Sequence, residues 1–303
     1  MSISLRSRFW RTVLRKMFKN QNFPIAELRA SGLKNSKRMG GAPKTVNIQQ
    51  IDIDGIQAEW LTPLDASHKQ VILYLHGGGY VTGSIETYRM ICGLLANYTG
   101  VKVLIPNYRL APENPFPTAL DDALKVYRWL LEQGTSSANI IIAGDSAGGG
   151  LSVGTVLALR DKNESLPAAV VCISPWADLT LKNETHTTKA KAEAVLRTDV
   201  LREWALCYTD ETNLYNPLVS PVYADFHGFP PLLIQVGSDE ILLGDSILLA
   251  EKAKADGAQV ELKIWDGMFH VWHILGDLIP ETRMAFEEIG QFVRAQFDGS
   301  VRT

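Results

Sequence analysis

Serine becomes a nucleophile only when its sequence neighbours lift its hydroxyl clear of the chain and a base stands within reach. In this chain Ser146 has the first of these conditions. It lies in Gly144-Asp145-Ser146-Ala147-Gly148, directly after the apolar run Ile140-Ile141-Ile142-Ala143 and before a helical pattern. A sharp strand-to-helix turn there would raise the hydroxyl above a sheet edge. It would also set Ser146 at a helix start, where backbone N–H groups are unpaired. Glycines on both sides suit the crowding of such a turn. Taken alone, the string reads better as a Gly-rich helix start without chemistry.

A second motif changes that balance. His76-Gly77-Gly78-Gly79-Tyr80 follows the apolar run Val71-Ile72-Leu73-Tyr74-Leu75, which reads as a buried strand. A phosphate cradle would need Lys and Ser or Thr at fixed offsets, and a dinucleotide fingerprint would need a helix-opening pattern after Gly83. Neither is present. Acyl transfer passes through a tetrahedral oxyanion that preorganised N–H groups stabilise. Gly77, Gly78 and Ala147 are the expected donors. Tyr80 and Trp176 are assigned to substrate binding.

The base and its orienting acid are expected near the C-terminus. Leu232-Leu233-Ile234-Gln235-Val236-Gly237 reads as a strand ending at Ser238-Asp239-Glu240, and Val260–Trp265 as another, ending at Asp266-Gly267-Met268-Phe269-His270. Catalytic groups collect at such strand ends in parallel sheets. Asp239 is the preferred acid, with Glu240 and Asp245 as alternatives. Asp245 falls inside an expected helix, 241–255, away from the mouth. His270 is the preferred base, as the first histidine beyond the strand and loop; His273 is its rival.

These residues need a frame. Strands are expected at 46–52, 56–61, 70–75, 101–106, 139–144, 168–174, 231–237 and 259–265. Helices are expected at 86–98, 118–133, 147–160, 241–256 and 281–297. Asp54-Gly55 marks a hairpin between the first two strands. The alternation predicts a mostly parallel eight-stranded sheet with helices on both faces, an α/β class. Residues 177–215 interrupt the rhythm with a helical segment near 198–209. They are assigned, with residues 1–45, to a helical cap; residues 46–176 and 216–303 form the core.

Composition narrows the function classes. The 303 residues carry a net charge of -3 and are 46% hydrophobic, as in ordinary globular proteins. The balance is not basic, so nucleic acid is not an expected partner. Cys92, Cys172 and Cys207 are far apart and form no C-x-x-C pair, so no metal is expected. Their odd number suits a reducing, cytoplasmic compartment. Charge is uneven along the chain: residues 1–40 hold ten Lys or Arg and one acid, Glu27. Phe9, Trp10, Val13, Leu14, Met17 and Phe18 recur there at helical spacing. A secretory signal lacks its uninterrupted apolar core. A basic amphipathic helix in residues 1–20 suits weak contact with an anionic membrane surface. A cap helix covering the mouth is the third reading.

Together these motifs resemble the hormone-sensitive-lipase family of α/β-hydrolase esterases, in its microbial branch. The resemblance rests on His76-Gly77-Gly78-Gly79, Tyr108-Arg109-Leu110-Ala111-Pro112-Glu113 with Phe116-Pro117, and Gly144-Asp145-Ser146-Ala147-Gly148-Gly149. Ser174-Pro175-Trp176, Ser220-Pro221, Pro230-Pro231 and the contexts of Asp239 and His270 also match, over residues 45 to 295. The order Ser146, Asp239, His270 is that of an α/β-hydrolase triad. The resemblance implies an α/β-hydrolase fold with a cap and a serine carboxylesterase without cofactor. It also tips the balance for residues 1–20 towards a cap helix. It implies short- to medium-chain acyl esters and a homodimer through the sheet edge near 259–265. Two alternatives stand beside it. One is a binding protein without catalysis, like the gibberellin receptors of plants, which lack the histidine. The other is a lipase for long-chain esters.

Overall fold

The computed structural model describes residues 3–18, 24–39 and 41–298. Eight strands form one sheet: β1 (Val46–Ile53), β2 (Ile56–Pro63), β3 (Ser67–Leu75), β4 (Val101–Pro106), β5 (Ile140–Asp145), β6 (Ala169–Ile173), β7 (Leu232–Gly237) and β8 (Val260–Trp265). Their order across the sheet is β1-β2-β4-β3-β5-β6-β7-β8. β2 runs antiparallel to both neighbours, and every pairing from β4 onward is parallel. Asp54 and Gly55 both have positive φ, 46° and 90°, as a tight hairpin turn requires.

β5, β6 and β7 are buried at every position and mostly apolar, because both faces of the sheet are covered. Alternate side chains go to opposite sides. Val71, Leu73, Leu75, Ile140 and Ile142 belong to one core, and Ile72, Tyr74, Ile141 and Ala143 to the other. The first core is closed by α4 (Thr118–Glu132), α5 (Ala147–Asp161) and α8 (Leu243–Ala255). The second is closed by α3 (Ile85–Thr99) and α9 (Pro280–Phe297). Register levels the strand ends that matter: Asp145 pairs with Ile173, Ile173 with Gln235, and Gly237 with Trp265. Segments leaving β5, β6, β7 and β8 therefore emerge along one edge.

The N-terminal region holds two helices, α1 (Leu5–Phe18) and α2 (Ile25–Met39); the second carries no strong apolar period in sequence. Single turns of helix at α6 (Thr185–Thr188) and a longer α7 (Thr198–Tyr208) follow β6. α1 divides its apolar residues into two stripes. Trp10, Leu14 and Phe18 join a core with Met268, Phe269 and Trp272, whereas Leu5, Phe9 and Met17 are exposed. Polar clasps hold α1 down. Ser7 Oγ donates to Glu281 at 2.7 Å, and Arg15 Nη2 to the Ala192 carbonyl at 2.6 Å. α2 is fixed by Arg29, which donates to the carbonyls of Val81 and Ala111 and to both Glu113 oxygens.

Candidate active site

Ser146 occupies the turn between β5 and α5 with φ 52° and ψ -123°, a region costly for a residue with a side chain. The neighbours force this shape. A Cβ on Gly148 would overlap the carbonyl oxygens of Leu75 and His76, and one on Gly144 would overlap the Gly148 carbonyl. Only glycine fits at either place. The turn is fastened to the next strand: the Ser146 N–H donates to Ile173 at 2.9 Å, and the Trp176 N–H to the Ser146 carbonyl at 2.8 Å.

His270 is buried just beyond β8, and its Nδ1 lies 2.9 Å from Glu240 Oε2. Glu240 is fully buried. Its Oε1 accepts from the Gly237 N–H at 2.6 Å and from Ser174 Oγ at 2.7 Å. Ser174 Oγ in turn accepts from the Val271 N–H at 3.2 Å. One serine after β6 thus ties the acid loop to the histidine loop. With Nδ1–H given to the carboxylate, Nε2 carries the lone pair. Burial pulls the His270 pKa down. The hydrogen bond and charge of Glu240, supported by Glu193 and Asp145, outweigh it and hold the pKa above the usual 6.5. His270 follows β8 and Ser146 follows β5 along the same edge of the sheet.

Asp239, the acid expected from sequence, points the other way. Its Oδ2 accepts from Arg11 Nη1 of α1 at 2.5 Å, and its side chain is part-exposed. The backbone turn after Gly237 sends residue 239 outward and residue 240 inward. Asp245 is buried at the start of α8, where Oδ2 accepts the N–H groups of Ala177 and Asp178. It braces the segment after β6. His273 is also structural. Its Nε2 meets Gln235 Oε1 at 2.8 Å, and burial pushes its pKa down to about 3.

The glycine loop after β3 also differs from expectation at one donor. The Gly77 N–H donates to Asp145 Oδ1 at 3.0 Å, so it is not available to an oxyanion. Gly78 and Gly79 take positive φ, 105° and 64°, and their N–H groups have no acceptor among the described residues. Ala147, first in α5, has an N–H outside the intrahelical ladder. Gly78, Gly79 and Ala147 therefore carry the N–H groups of this region that no acceptor among the described residues engages. Asp145 acts as the brace of this loop, accepting also from Tyr74 and Tyr88 hydroxyls at 2.8 and 3.0 Å. Burial raises its pKa to about 6 despite those bonds. His76 stacks on Tyr108 with ring centres 4.2 Å apart. Its pKa is lowered by burial to about 4, so it is neutral scaffolding.

Tyr80 and Trp176 neighbour each other, with ring centres 6.2 Å apart, and both are fully buried. Tyr80 stacks flat on Tyr208 of α7 at 3.7 Å. Trp204, one turn earlier in α7, lies against the Gly79 backbone, where a Cβ would meet its ring. α7 therefore roofs the glycine loop. Glu193 is another residue sequence reasoning missed. It is buried, accepts from the Ala194, Val195 and Ile241 N–H groups, and links the segment before α7 to the residue after Glu240. Nothing in its local sequence marks it.

A family model described as the alpha/beta hydrolase fold matches residues 72–274. An esterase of the bacterial hormone-sensitive lipase family superposes with a TM-score of 0.94 at 39% identity, covering 98% of this chain and 100% of that one. The chain belongs to the hormone-sensitive-lipase family of α/β-hydrolase esterases. An acetyl-hydrolase of Streptomyces hygroscopicus is 46% identical over 237 residues, 78% of this chain and 79% of the relative. An esterase of Acinetobacter venetianus is 37% identical over 249 residues, 82% of each. As a member of this family the chain is a hydrolase of the carboxylesterase kind.

Proposed function

We propose that the protein hydrolyses short- to medium-chain acyl esters through an acyl-enzyme intermediate on Ser146. The buried contact between Glu240 and His270 Nδ1 carries this reading, because it prepares a basic Nε2 on the sheet edge that also carries the Ser146 turn. His270 takes the hydroxyl proton as Ser146 attacks the ester carbonyl. Glu240 keeps the imidazole in that tautomer and stabilises its charged form. The N–H groups of Gly78, Gly79 and Ala147 receive the oxyanion, each worth on the order of 3 kcal/mol. His270 then protonates the departing alcohol and activates the water that frees the acid. None of these steps calls for a metal or cofactor.

The preference for short acyl chains draws support from the relative named as an acetyl-hydrolase and from the α7 roof, where Trp204 covers Gly79. Tyr80 and Trp176 would back the pocket wall from beneath. In the same reading α1, α2 and residues 177–215 form the cap, and residues 46–176 and 216–303 the core. The homodimer is proposed at β8, an edge strand on which Ile264 is exposed. The three cysteines are free, which suits a cytoplasmic setting. Among the described residues no helix is long and apolar enough to cross a membrane.

Rates on p-nitrophenyl acetate, butyrate and palmitate test the assignment. Turnover should be highest on the short esters and vanish in Ser146→Ala. Preference for palmitate would favour a lipase, and absence of turnover on all three would favour a receptor-like binding protein.

A further inference from the structure

The outer face of α1 has no role in the proposed chemistry, and its composition is unusual for a solvent-facing helix. Leu5, Phe9, Val13 and Met17 recur every fourth residue, so they form one stripe along the helix. Leu5 is 80% exposed, Phe9 61% and Met17 60%. Leu278 is also exposed, and it lines a groove of about 440 Å³ with Leu5, Arg6, Phe9, Trp10 and Asp277. Arg6, Arg8 and Lys16 are exposed on the same outer side of the helix, Arg6 and Lys16 between the apolar residues and Arg8 at their edge, and no acid forms an ion pair with them among the described residues. The other two basic residues of α1 are engaged within the protein, Arg11 by Asp239 and the exposed Arg15 by the Ala192 carbonyl.

We propose that this face docks on an anionic phospholipid bilayer, with the apolar stripe entering the interface and Arg6, Arg8 and Lys16 meeting the headgroups. An exposed apolar stripe accompanied by cations is the arrangement that binds such surfaces. A second copy of the chain fits less well. A two-fold contact through α1 would set the same cationic face against itself. The inner stripe of α1 remains in the protein core, so covering the mouth and touching a membrane use opposite faces of one helix. Because Arg11 holds the loop that carries Glu240, docking would bring the ester-hydrolysing edge close to the lipid boundary. That last consequence rests on the proposed activity; the docking itself does not.

Co-sedimentation of the full chain with phosphatidylcholine vesicles, with and without phosphatidylglycerol, tests the docking. Binding should require phosphatidylglycerol and weaken as salt rises. Leu5→Ser combined with Phe9→Ser should lower vesicle binding at least ~10-fold while turnover of a soluble ester stays unchanged. Should that pair misfold, Arg6→Glu with Lys16→Glu removes the charge alone and should abolish the dependence on phosphatidylglycerol. Wild-type protein that stays in solution beside anionic vesicles overturns the proposal. So does a change of oligomeric state in the serine variants, which would assign the face to a second copy.

Discussion

Glu240 meets His270 Nδ1 at 2.9 Å from the inner side of a loop whose outer side delivers Asp239 to Arg11. Two adjacent carboxylates thus have separate tasks: one is buried against the imidazole, and the other pins the N-terminal helix. Glu240→Gln should lower kcat on the order of 10³–10⁴-fold, because a side-chain amide favours the wrong histidine tautomer. Asp239→Asn breaks only a part-exposed ion pair, worth about 1 kcal/mol or less. Its kcat should remain close to wild type. Steady-state kinetics of the two variants decide the matter, and equal losses would remove Glu240 from its assigned place.

The pH dependence follows from the same pair. His270 acts as base only when neutral, and its pKa is held above 6.5. The acidic limb of kcat/KM should therefore lie above pH 6.5, with activity falling as pH drops through it. In Glu240→Gln the opposing effect of burial is no longer outweighed. The limb of the residual activity should then move to lower pH. A limb that stays in place would mean that another group sets it.

Asp145 gives a prediction about stability. Its pKa rises from 3.8 to about 6 in the folded protein, so the native state binds the proton more tightly than the unfolded chain. That contribution is full below pH 3.8 and is lost as pH rises through about 6. The loss amounts to roughly 3 kcal/mol. Asp145→Asn does not titrate. The stability of wild type relative to this variant should decline by up to that amount between pH 4 and pH 7, as read by urea unfolding. A difference that is flat with pH would show that folding does not raise the pKa of Asp145. Because the Gly77 N–H also rests on this carboxylate, kcat of the variant should fall.

Gly148→Ala tests the turn. Its Cβ would strike the Leu75 and His76 carbonyls, neither of which can yield without moving β3. The expected cost is roughly 3 kcal/mol. Gly134→Ala is the control: φ is +84° there but the space around it is open. It should cost only ~1–2 kcal/mol from backbone strain. Denaturant midpoints separate the two, and equal shifts would mean that the turn tolerates a side chain.

The sheet was legible in sequence because its central strands are continuous apolar runs ending in short polar loops. Ser146 was legible for a related reason, since its two glycines answer steric demands that come from the neighbouring β3 backbone. The choice between Asp239 and Glu240 was not. Both follow the strand within one residue of each other, and which one faces inward depends on the N–H of Gly237 and the hydroxyl of Ser174. The engagement of the Gly77 N–H was hidden for a similar reason, because Asp145 reaches it from another strand. The outward stripe of α1 was hidden by its inward neighbours: residues 9, 13 and 17 directly precede 10, 14 and 18, so the two stripes read as one broad face.

The most direct measurement is intact-mass and peptide analysis after reaction with an organophosphonate that labels activated serines. One adduct per chain is expected, on Ser146, with none in Ser146→Ala and a strongly slowed reaction in Glu240→Gln but not in Asp239→Asn. An adduct on a different residue, or undiminished ester turnover by Ser146→Ala, would contradict the account.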